Sequence, residues 1–400
     1  MLIGLRDGKL LKIKSIKLAI LFLCFFSLNA YSKVKLSGFA KAYFQRIHKE
    51  FKNIDNHGPL TTIPLRLNFF WEMGKQWDMD ISWHLIPIVG NDKVGLIQLL
   101  FTTNFDYRAI RIKPFLVKPD IKKANYFMLF NNPDRFSIAF STEKLKITVG
   151  RQIVHWGSAA VLSPTDVIIP FTLNTVDTEV RPGVDAARLE YSWGNFELDT
   201  GALFGKEFKK ENSAIYIRGI GHIEGKDFFL IYNRFKKNNL FGLDFKINFG
   251  RSKVWTEYTH VNSDKEGSVD YSRFSIGGTW VISKDWFMLG AYHFNGIGTN
   301  DPEKYFPLRF NTSFRDANLF LVGRNYFGIY ANHKFSARTS IFFGGGHNIG
   351  DHSFLLDARF TWNIIKNNYV DIRAIPGLGP EGSEFDRYFD VYYLAYRFYF

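Results

Sequence analysis

Hydrophobic alternation with a period of two is the feature that most constrains the fold of this chain. In the segment 77–85, Trp77 and Met79 alternate with Asp78 and Asp80. The same alternation returns in two later segments, 243–249 and 356–364. Successive side chains of a β-strand point to opposite faces, so the pattern predicts strands with one apolar and one polar face. A soluble β-sandwich alternates in the same way, so further features must decide between the two classes.

The alternating segments are long for strands, mostly about nine to twelve residues, which is the length that a tilted strand needs to cross a membrane. We expect eighteen of them, with sixteen as the alternative count. They are predicted at 34–45, 64–73, 77–87, 135–141, 145–153, 185–193, 196–206, 213–222, 227–235, 239–249, 253–262, 272–282, 285–295, 325–335, 339–347, 354–364, 369–376 and 387–400.

The gaps between these segments alternate in length. Every long gap follows an odd-numbered strand: 46–63, 88–134, 154–184 and 296–324. Short turns follow the even-numbered strands, as at 74–76 and 194–195. Outer-membrane barrels have this arrangement, with short turns at one end and longer loops at the other. The sequence therefore predicts an all-β fold, a transmembrane antiparallel up-and-down β-barrel of one domain with long outer loops 88–134, 154–184 and 296–324.

The C-terminal segment is an aromatic strand that ends in Phe400, with Phe398, Tyr396 and Leu394 on the same face. Such a strand resembles the signal by which the barrel-assembly machinery recognises bacterial outer-membrane proteins. Phe, Trp and Tyr make up 18% of the chain, which suits the aromatic girdles of such barrels. We therefore expect an integral protein of the bacterial outer membrane, surrounded by lipid and lipopolysaccharide.

The first 32 residues are predicted to be a secretory signal peptide. Basic residues precede an apolar run at 18–28, which ends near Ala30-Tyr31-Ser32. An N-terminal membrane anchor is the weaker alternative, because a helix needs about 20 apolar residues to cross a bilayer. The only cysteine, Cys24, lies in this run, so residues 33–400 hold no thiol or disulfide.

Charged residues on the polar faces of the strands are the candidate pore lining. Acidic and basic residues both occur there, so the wall is mixed. Removal of the signal peptide lowers the net charge from +13 to +9, and this remaining charge must lie largely in the loops and turns. The residues form either ion pairs within a polar interior or an arginine ladder for a solute. The predicted pore-lining residues are Arg66, Arg188, Arg359, Arg373, Arg397, Asp357 and Asp371.

Two of the long loops bear on the pore. Loop 88–134 is basic, and it either folds inward to favour anions or forms a cationic outer surface for lipopolysaccharide phosphates. Loop 154–184 has an apolar middle, Val167-Ile168-Ile169-Pro170-Phe171, which is unusual for a loop in water. It is a candidate constriction loop, although the same residues could simply tie the loop to the wall. Its candidate residues are Asp166, Glu179, Arg181 and Asp185 near the pore, with Arg151, His155 and Trp156 as anchors.

Several short motifs suggest a family. They are Gly150-Arg151-Gln152 before Trp156-Gly157, then Pro164-Thr165-Asp166, later Gly323-Arg324-Asn325-Tyr326, and the aromatic C-terminus. In these motifs the chain resembles porin-like bacterial outer-membrane proteins of the alginate-export type. The resemblance implies an eighteen-strand barrel that passes a solute such as an anionic saccharide.

The function class follows from these features. The chain lacks the common motifs of hydrolases, metalloproteases and nucleotide-binding enzymes, so we predict no enzyme activity, no catalytic residues, no cofactor and no metal. No nucleic-acid-binding motif occurs either. The leading hypothesis is a porin or channel for small hydrophilic solutes, including anionic, saccharide-like ones. The alternatives are a non-conducting structural or surface-interaction barrel and, less favoured, an outer-membrane hydrolase. The oligomeric state is left open.

Overall fold

The computed structural model describes most of the chain after the predicted signal peptide. The described residues are 32–48, 50–51, 54–55, 58–91, 106–112, 115–120, 125–170, 177–388 and 390–400. All but the last residue of the predicted signal peptide therefore lies outside the described residues. So do parts of loops 88–134 and 154–184.

The described residues form a closed antiparallel β-barrel of eighteen strands, as predicted. Each strand pairs with the next along the chain, and the last strand pairs with the first, with Phe44 opposite Leu394. Closure pairs the first strand with the last, so neither of these two strands forms an open edge of the eighteen-strand sheet. The strands are β1 (Ser32–His48), β2 (Leu65–Met73, preceded by Gly58–Thr62), β3 (Trp77–Asn91), β4 (Asn125–Ser141), β5 (Leu145–Gln152), β6 (Val184–Trp193), β7 (Phe196–Leu203), β8 (Ala214–Ile223), β9 (Lys226–Phe235), β10 (Asn238–Phe249), β11 (Ser252–Ser263), β12 (Tyr271–Val281), β13 (Trp286–Asn295), β14 (Asn325–Lys334), β15 (Thr339–Asn348), β16 (Ser353–Ile365), β17 (Asn368–Ile375) and β18 (Asp390–Tyr399).

Strands β3 and β4 are longer than the sequence predicts. They contain 15 and 17 residues. The short strand Phe115–Asp120 pairs with residues 125–129 at the start of β4. Loop 88–134 is thus partly strand. The predicted β4 begins only at residue 135, and the residues just before it, Asn131, Asn132 and Pro133, are of types that disfavour strands. In the structure, Asp134 is an extra residue at a register shift between β3 and β4, which lets the pairing continue past the proline.

The outer face of the barrel is apolar and the inner face polar. On β18, Leu394 and Phe398 are exposed, whereas the Arg397 side chain between them is only 14% exposed. Exposed aromatic residues flank the short turns, as in an aromatic girdle: Trp77, Trp193, Phe196, Phe249, Trp286 and Phe335. The described residues include no helix that is long and apolar enough to cross a membrane.

The apolar cores lie inside the long-loop end of the barrel, where the outer loops pack on one another and on the inner wall. Short helices in the loops contribute to this packing. The α-helices are Tyr305–Leu308 and Thr312–Asp316, and the 3-10 helices are Lys206–Phe208, Lys210–Asn212, Pro302–Lys304 and Phe385–Arg387. The loops therefore enter the lumen instead of standing free above it.

Candidate functional site: the inward loop and the lumen wall

We call residues 153–183, which connect β5 to β6, the inward loop; the structure describes 153–170 and 177–183 of it. Its first part lies on the inner wall formed by β10 to β12. Ser158 donates hydrogen bonds to Asp244 on β10, with oxygen distances of 2.6 Å. Ser163 donates to Glu257 on β11 at 2.8 Å. These contacts hold this part of the loop against the wall away from its own base strands.

Glu257 is the central acceptor in this contact. Glu257 is 0% exposed, and its carboxylate also accepts hydrogen bonds from the Thr165 hydroxyl and the Ala159 backbone N–H. A buried carboxyl is costly unless it is hydrogen-bonded, and the loop provides these donors. The first part of the loop and β11 therefore depend on each other for hydrogen bonding.

Gly157 makes the close approach possible. Its φ is +97°, a region that side-chain-bearing residues rarely adopt. A Cβ at this position would lie 2.0 Å from Ser163 Oγ and 2.7 Å from Glu257 Oε1. The Trp156-Gly157 pair noted in the sequence thus combines a side chain that packs with a turn that needs glycine.

Apolar packing explains the unusual middle of the loop. Trp156 is 3% exposed and packs on Tyr216 with ring centroids 4.7 Å apart. Val167, Ile168 and Ile169 are buried in the same core. His155, beside Trp156, is exposed. The apolar segment is therefore inside the barrel and not in water.

The second part of the loop reaches the opposite wall. Lys41 on β1 donates hydrogen bonds to Asp177 and to Glu179, both at 2.8 Å. Tyr399 on β18 donates to Glu179 at 2.7 Å. Strands β1 and β18 lie about half-way around the ring from β10 to β12. The inward loop therefore crosses the lumen, and its two parts are joined by a 2.5 Å ion pair between Arg181 and Asp166.

Arg151 and Asp185 lie at the ends of β5 and β6, where they bind each other. Arg151 Nε lies 2.6 Å from Asp185 Oδ1. Asp185 also accepts a hydrogen bond from the Ala109 backbone N–H at 2.8 Å, and Arg151 donates to the Ile110 carbonyl at 2.6 Å. The pair thus anchors the segment 106–112 of loop 88–134. That segment enters the barrel core, where Tyr107 is fully buried.

A cluster that the sequence did not indicate surrounds Asp134, at the register shift of β4. This buried carboxylate forms ion pairs with Arg66 at 2.7 Å, Arg108 at 2.9 Å and Arg135 at 2.6 Å. It also accepts a hydrogen bond from the Gly183 N–H at 3.0 Å. Asp134 therefore ties β2, loop 88–134 and the end of the inward loop together. Alternation could not place it because the extra residue breaks the period of two.

Most of the predicted pore-lining arginines are held by carboxylates. Arg188 binds Asp199 with distances of 2.8 and 2.9 Å. Arg373 binds Asp357 with distances of 2.7 and 2.6 Å. Arg397 binds Asp371 and Glu179. Of the two arrangements considered from the sequence, ion pairs or an arginine ladder, these three arginines adopt ion pairs.

Arg359 differs from the other predicted arginines. Among the described residues, no carboxylate pairs with it, and its buried Nε has no hydrogen-bond partner. It lies directly opposite Arg373 on the neighbouring strand and 5.6 Å from the Phe342 ring. Phe342 in turn stacks on Tyr330. This part of the wall thus combines an arginine that has no carboxylate partner with two aromatic rings.

The described part of the chain contains no cluster of three or more residues that could hold a metal ion. No protein-family model matches the sequence, and no curated protein matches it.

Solved structures show the same fold at low sequence identity. OccAB1 of Acinetobacter baumannii has a TM-score of 0.55 and 9% identity over 92% of this chain and 96% of that chain. OccD3 (OpdP) of Pseudomonas aeruginosa has a TM-score of 0.54 and 12% identity over 92% and 91%. OccK11 (OpdR) of the same organism has a TM-score of 0.54 and 10% identity over 92% and 95%. These similarities support a porin-like β-barrel fold, but not the narrower alginate-export type.

Proposed function

We propose that this protein is an outer-membrane channel for small hydrophilic solutes, and that the inward loop forms its constriction. The observation that supports this most is that the loop contacts both Glu257 on β11 and Lys41 on β1, and so crosses a polar lumen. A closed barrel with an apolar outer face satisfies its backbone hydrogen bonds within the lipid. Its interior then provides a hydrated path through the barrel, and a loop across the interior sets the width of that path.

The proposed solutes include anionic, saccharide-like molecules. Arg359 supports this part of the proposal because its guanidinium has no carboxylate partner among the described residues, while Phe342 and Tyr330 offer flat apolar surfaces beside it. A planar guanidinium suits oxyanions, and aromatic faces suit the apolar face of a sugar ring. The paired residues Arg373, Arg397, Asp357 and Asp371 would line the path without adding much net charge.

The test is reconstitution of the purified, folded barrel into planar lipid bilayers. We expect discrete conductance steps, and in a salt gradient a reversal potential on the anion-selective side. Folding is checked first by the shift in gel mobility between unheated and heated samples. A folded barrel that produces no conductance steps would contradict the channel, and a cation-selective reversal potential would contradict its anionic version.

A non-conducting barrel is the second candidate, favoured by how completely loops enter the lumen. The segment 106–112, the inward loop and loop 296–324 share one buried core. In that case the outer surface would carry the function. The loop between β7 and β8 presents Lys206 and Lys209 with exposed side chains, and both pair with the exposed Glu207. Such exposed ion pairs are weak, so the two lysines are able to bind lipopolysaccharide phosphates instead. Lipopolysaccharide binding without conductance would support this candidate.

The biogenesis route is part of the proposal. We infer that residues 1–32 are removed on export and that the barrel-assembly machinery recognises the last strand. Phe400 is 52% exposed on the outer face, and its backbone N–H donates to the Gly38 carbonyl at 3.1 Å, so the terminus pairs with β1. N-terminal sequencing of the membrane-inserted protein tests the cleavage: the expected first residue is Lys33, and an intact Met1 would contradict it.

A further inference from the structure

The strands that close the barrel bring two cations together. Lys41 on β1 lies directly opposite Arg397 on β18 in the strand register. The Lys41 side chain is 0% exposed and that of Arg397 is 14% exposed. Like charges directly opposite each other on neighbouring strands are destabilising, and burial increases the cost. The closing pair of strands therefore needs anions at this level.

The two cations obtain their anions from different places. Arg397 is bound by Asp371 on the adjacent strand β17, as well as by Glu179. Both carboxylates that Lys41 contacts among the described residues, Asp177 and Glu179, belong to the inward loop. Lys41 otherwise lies over the Phe39 ring, with Nζ 4.1 Å from the ring centre. The barrel wall supplies an anion for Arg397, and the loop supplies those for Lys41.

Glu179 is anionic in this arrangement. Burial opposes its ionisation, but hydrogen bonds from Lys41 and Tyr399 outweigh that effect and lower the pKa of Glu179. It therefore bridges the first and last strands at neutral pH, since Lys41 lies on β1 and both Tyr399 and Arg397 lie on β18. One side chain from the middle of the sequence thus contacts both the first and the last strand of the barrel.

We propose that Asp177 and Glu179 form a clamp across the closing strands, so that docking of the inward loop and closure of the barrel stabilise each other. If the two loop carboxylates lose their charge while the loop stays docked, the buried Lys41 lies opposite Arg397 with no anion from the loop. With both carboxylates charged, the same pair of cations becomes the docking site for the loop. This inference concerns stability and does not depend on conduction.

The clamp has a kinetic consequence. Strand β1 and strand β18 come from opposite ends of the chain, and the loop contacts require both to be in place. We therefore expect the clamp to form late in folding and to act mainly by slowing unfolding, as late-formed contacts do.

The test compares unfolding rates of the full barrel in detergent, followed by the gel-mobility shift on heating. The variant is Asp177→Asn with Glu179→Gln, and the matched control is Asp264→Asn with Glu266→Gln, which removes two acids from the exposed loop after β11. We expect the clamp variant to unfold about tenfold faster or more, and the control to stay within about twofold of the unsubstituted protein. Equal rates in clamp variant and control would overturn the proposal.

A second substitution tests whether the two carboxylates act by compensating the charge of Lys41 or only by attaching the loop to the wall. Lys41→Met added to the clamp variant removes the uncompensated cation and leaves an apolar side chain over Phe39. We expect this triple variant to regain most of the lost kinetic stability. If the double variant fails to fold, folding of the triple variant supports the clamp. A triple variant that is no more stable than the double variant, or that also fails to fold, contradicts it.

Discussion

Ser163 and Glu257, which are 94 positions apart in the chain, are joined by a 2.8 Å hydrogen bond inside the barrel. The bond places the first part of the inward loop on β11, far from the loop's own base at β5 and β6. The width of the proposed channel therefore depends on a carboxyl on the barrel wall and not on the loop alone.

Replacing Glu257 should release this part of the loop. In Glu257→Ala, the Ser163 and Thr165 hydroxyls and the Ala159 N–H lose their shared acceptor, and each unsatisfied buried group costs about 1–3 kcal/mol. We expect larger and noisier single-channel currents together with a lower unfolding temperature. The control is Glu266→Ala on the exposed loop after the same strand. Currents in Glu257→Ala that match those of this control would show that the loop stays docked without the carboxyl.

Asp134 should be among the carboxylates on which stability depends most. In Asp134→Asn, the buried cations Arg66, Arg108 and Arg135 lose the carboxylate that they share. Breaking a buried ion pair on one side typically costs about 3–5 kcal/mol. We expect a large fall in the unfolding temperature, measured by gel-mobility shift or circular dichroism, whereas Asp264→Asn at an exposed ion pair should change it little. A small effect of both substitutions would mean that water reaches the cluster.

The sequence predicted the barrel well because alternation is a local property. It assigned Arg397 and Phe398 to opposite faces, and the structure has them so. The contacts of the site were less accessible. Lys41 and Glu179 are 138 positions apart, and nothing in the local pattern of either residue indicates the other. Asp134 was missed for a different reason, since it is the extra residue at a register shift.

Arg359 and Arg373 lie opposite each other but should respond differently to substitution. Arg359 has no carboxylate partner among the described residues, so Arg359→Gln should leave stability nearly unchanged and lower anion preference in reversal-potential measurements. Arg373 is paired with Asp357, so Arg373→Gln leaves that carboxylate uncompensated and should lower the unfolding temperature. Similar stability losses in both variants would show that Arg359 is also structurally paired.

Glu384 connects three outer segments of the barrel. It is 1% exposed, and it accepts hydrogen bonds from the Val322 N–H of loop 296–324 at 2.7 Å and from Asn348 at the end of β15 at 2.8 Å. The Tyr326 hydroxyl also donates to it. Its own N–H donates to Asp351 at 2.6 Å. Because these partners come from loop 296–324, from the ends of β14 and β15 and from the turn after β15, the protonation state of this one carboxyl affects how these segments pack together.

Docking of these loops should weaken as the pH rises. Burial raises the pKa of Glu384 from 4.5 to about 7; Tyr326 and the more distant Arg309 favour its ionised form, and Asp351 opposes it. A carboxyl whose pKa is raised in the docked state stabilises that state fully below its ordinary pKa and loses this contribution as the pH rises through 7. Between pH 6 and pH 8 we expect loop opening to increase about tenfold. Hydrogen exchange in 320–326 and 383–388, corrected for the intrinsic pH dependence of exchange, measures this, and Glu384→Gln should remove the difference. A pH dependence that persists in Glu384→Gln would assign the effect to another group.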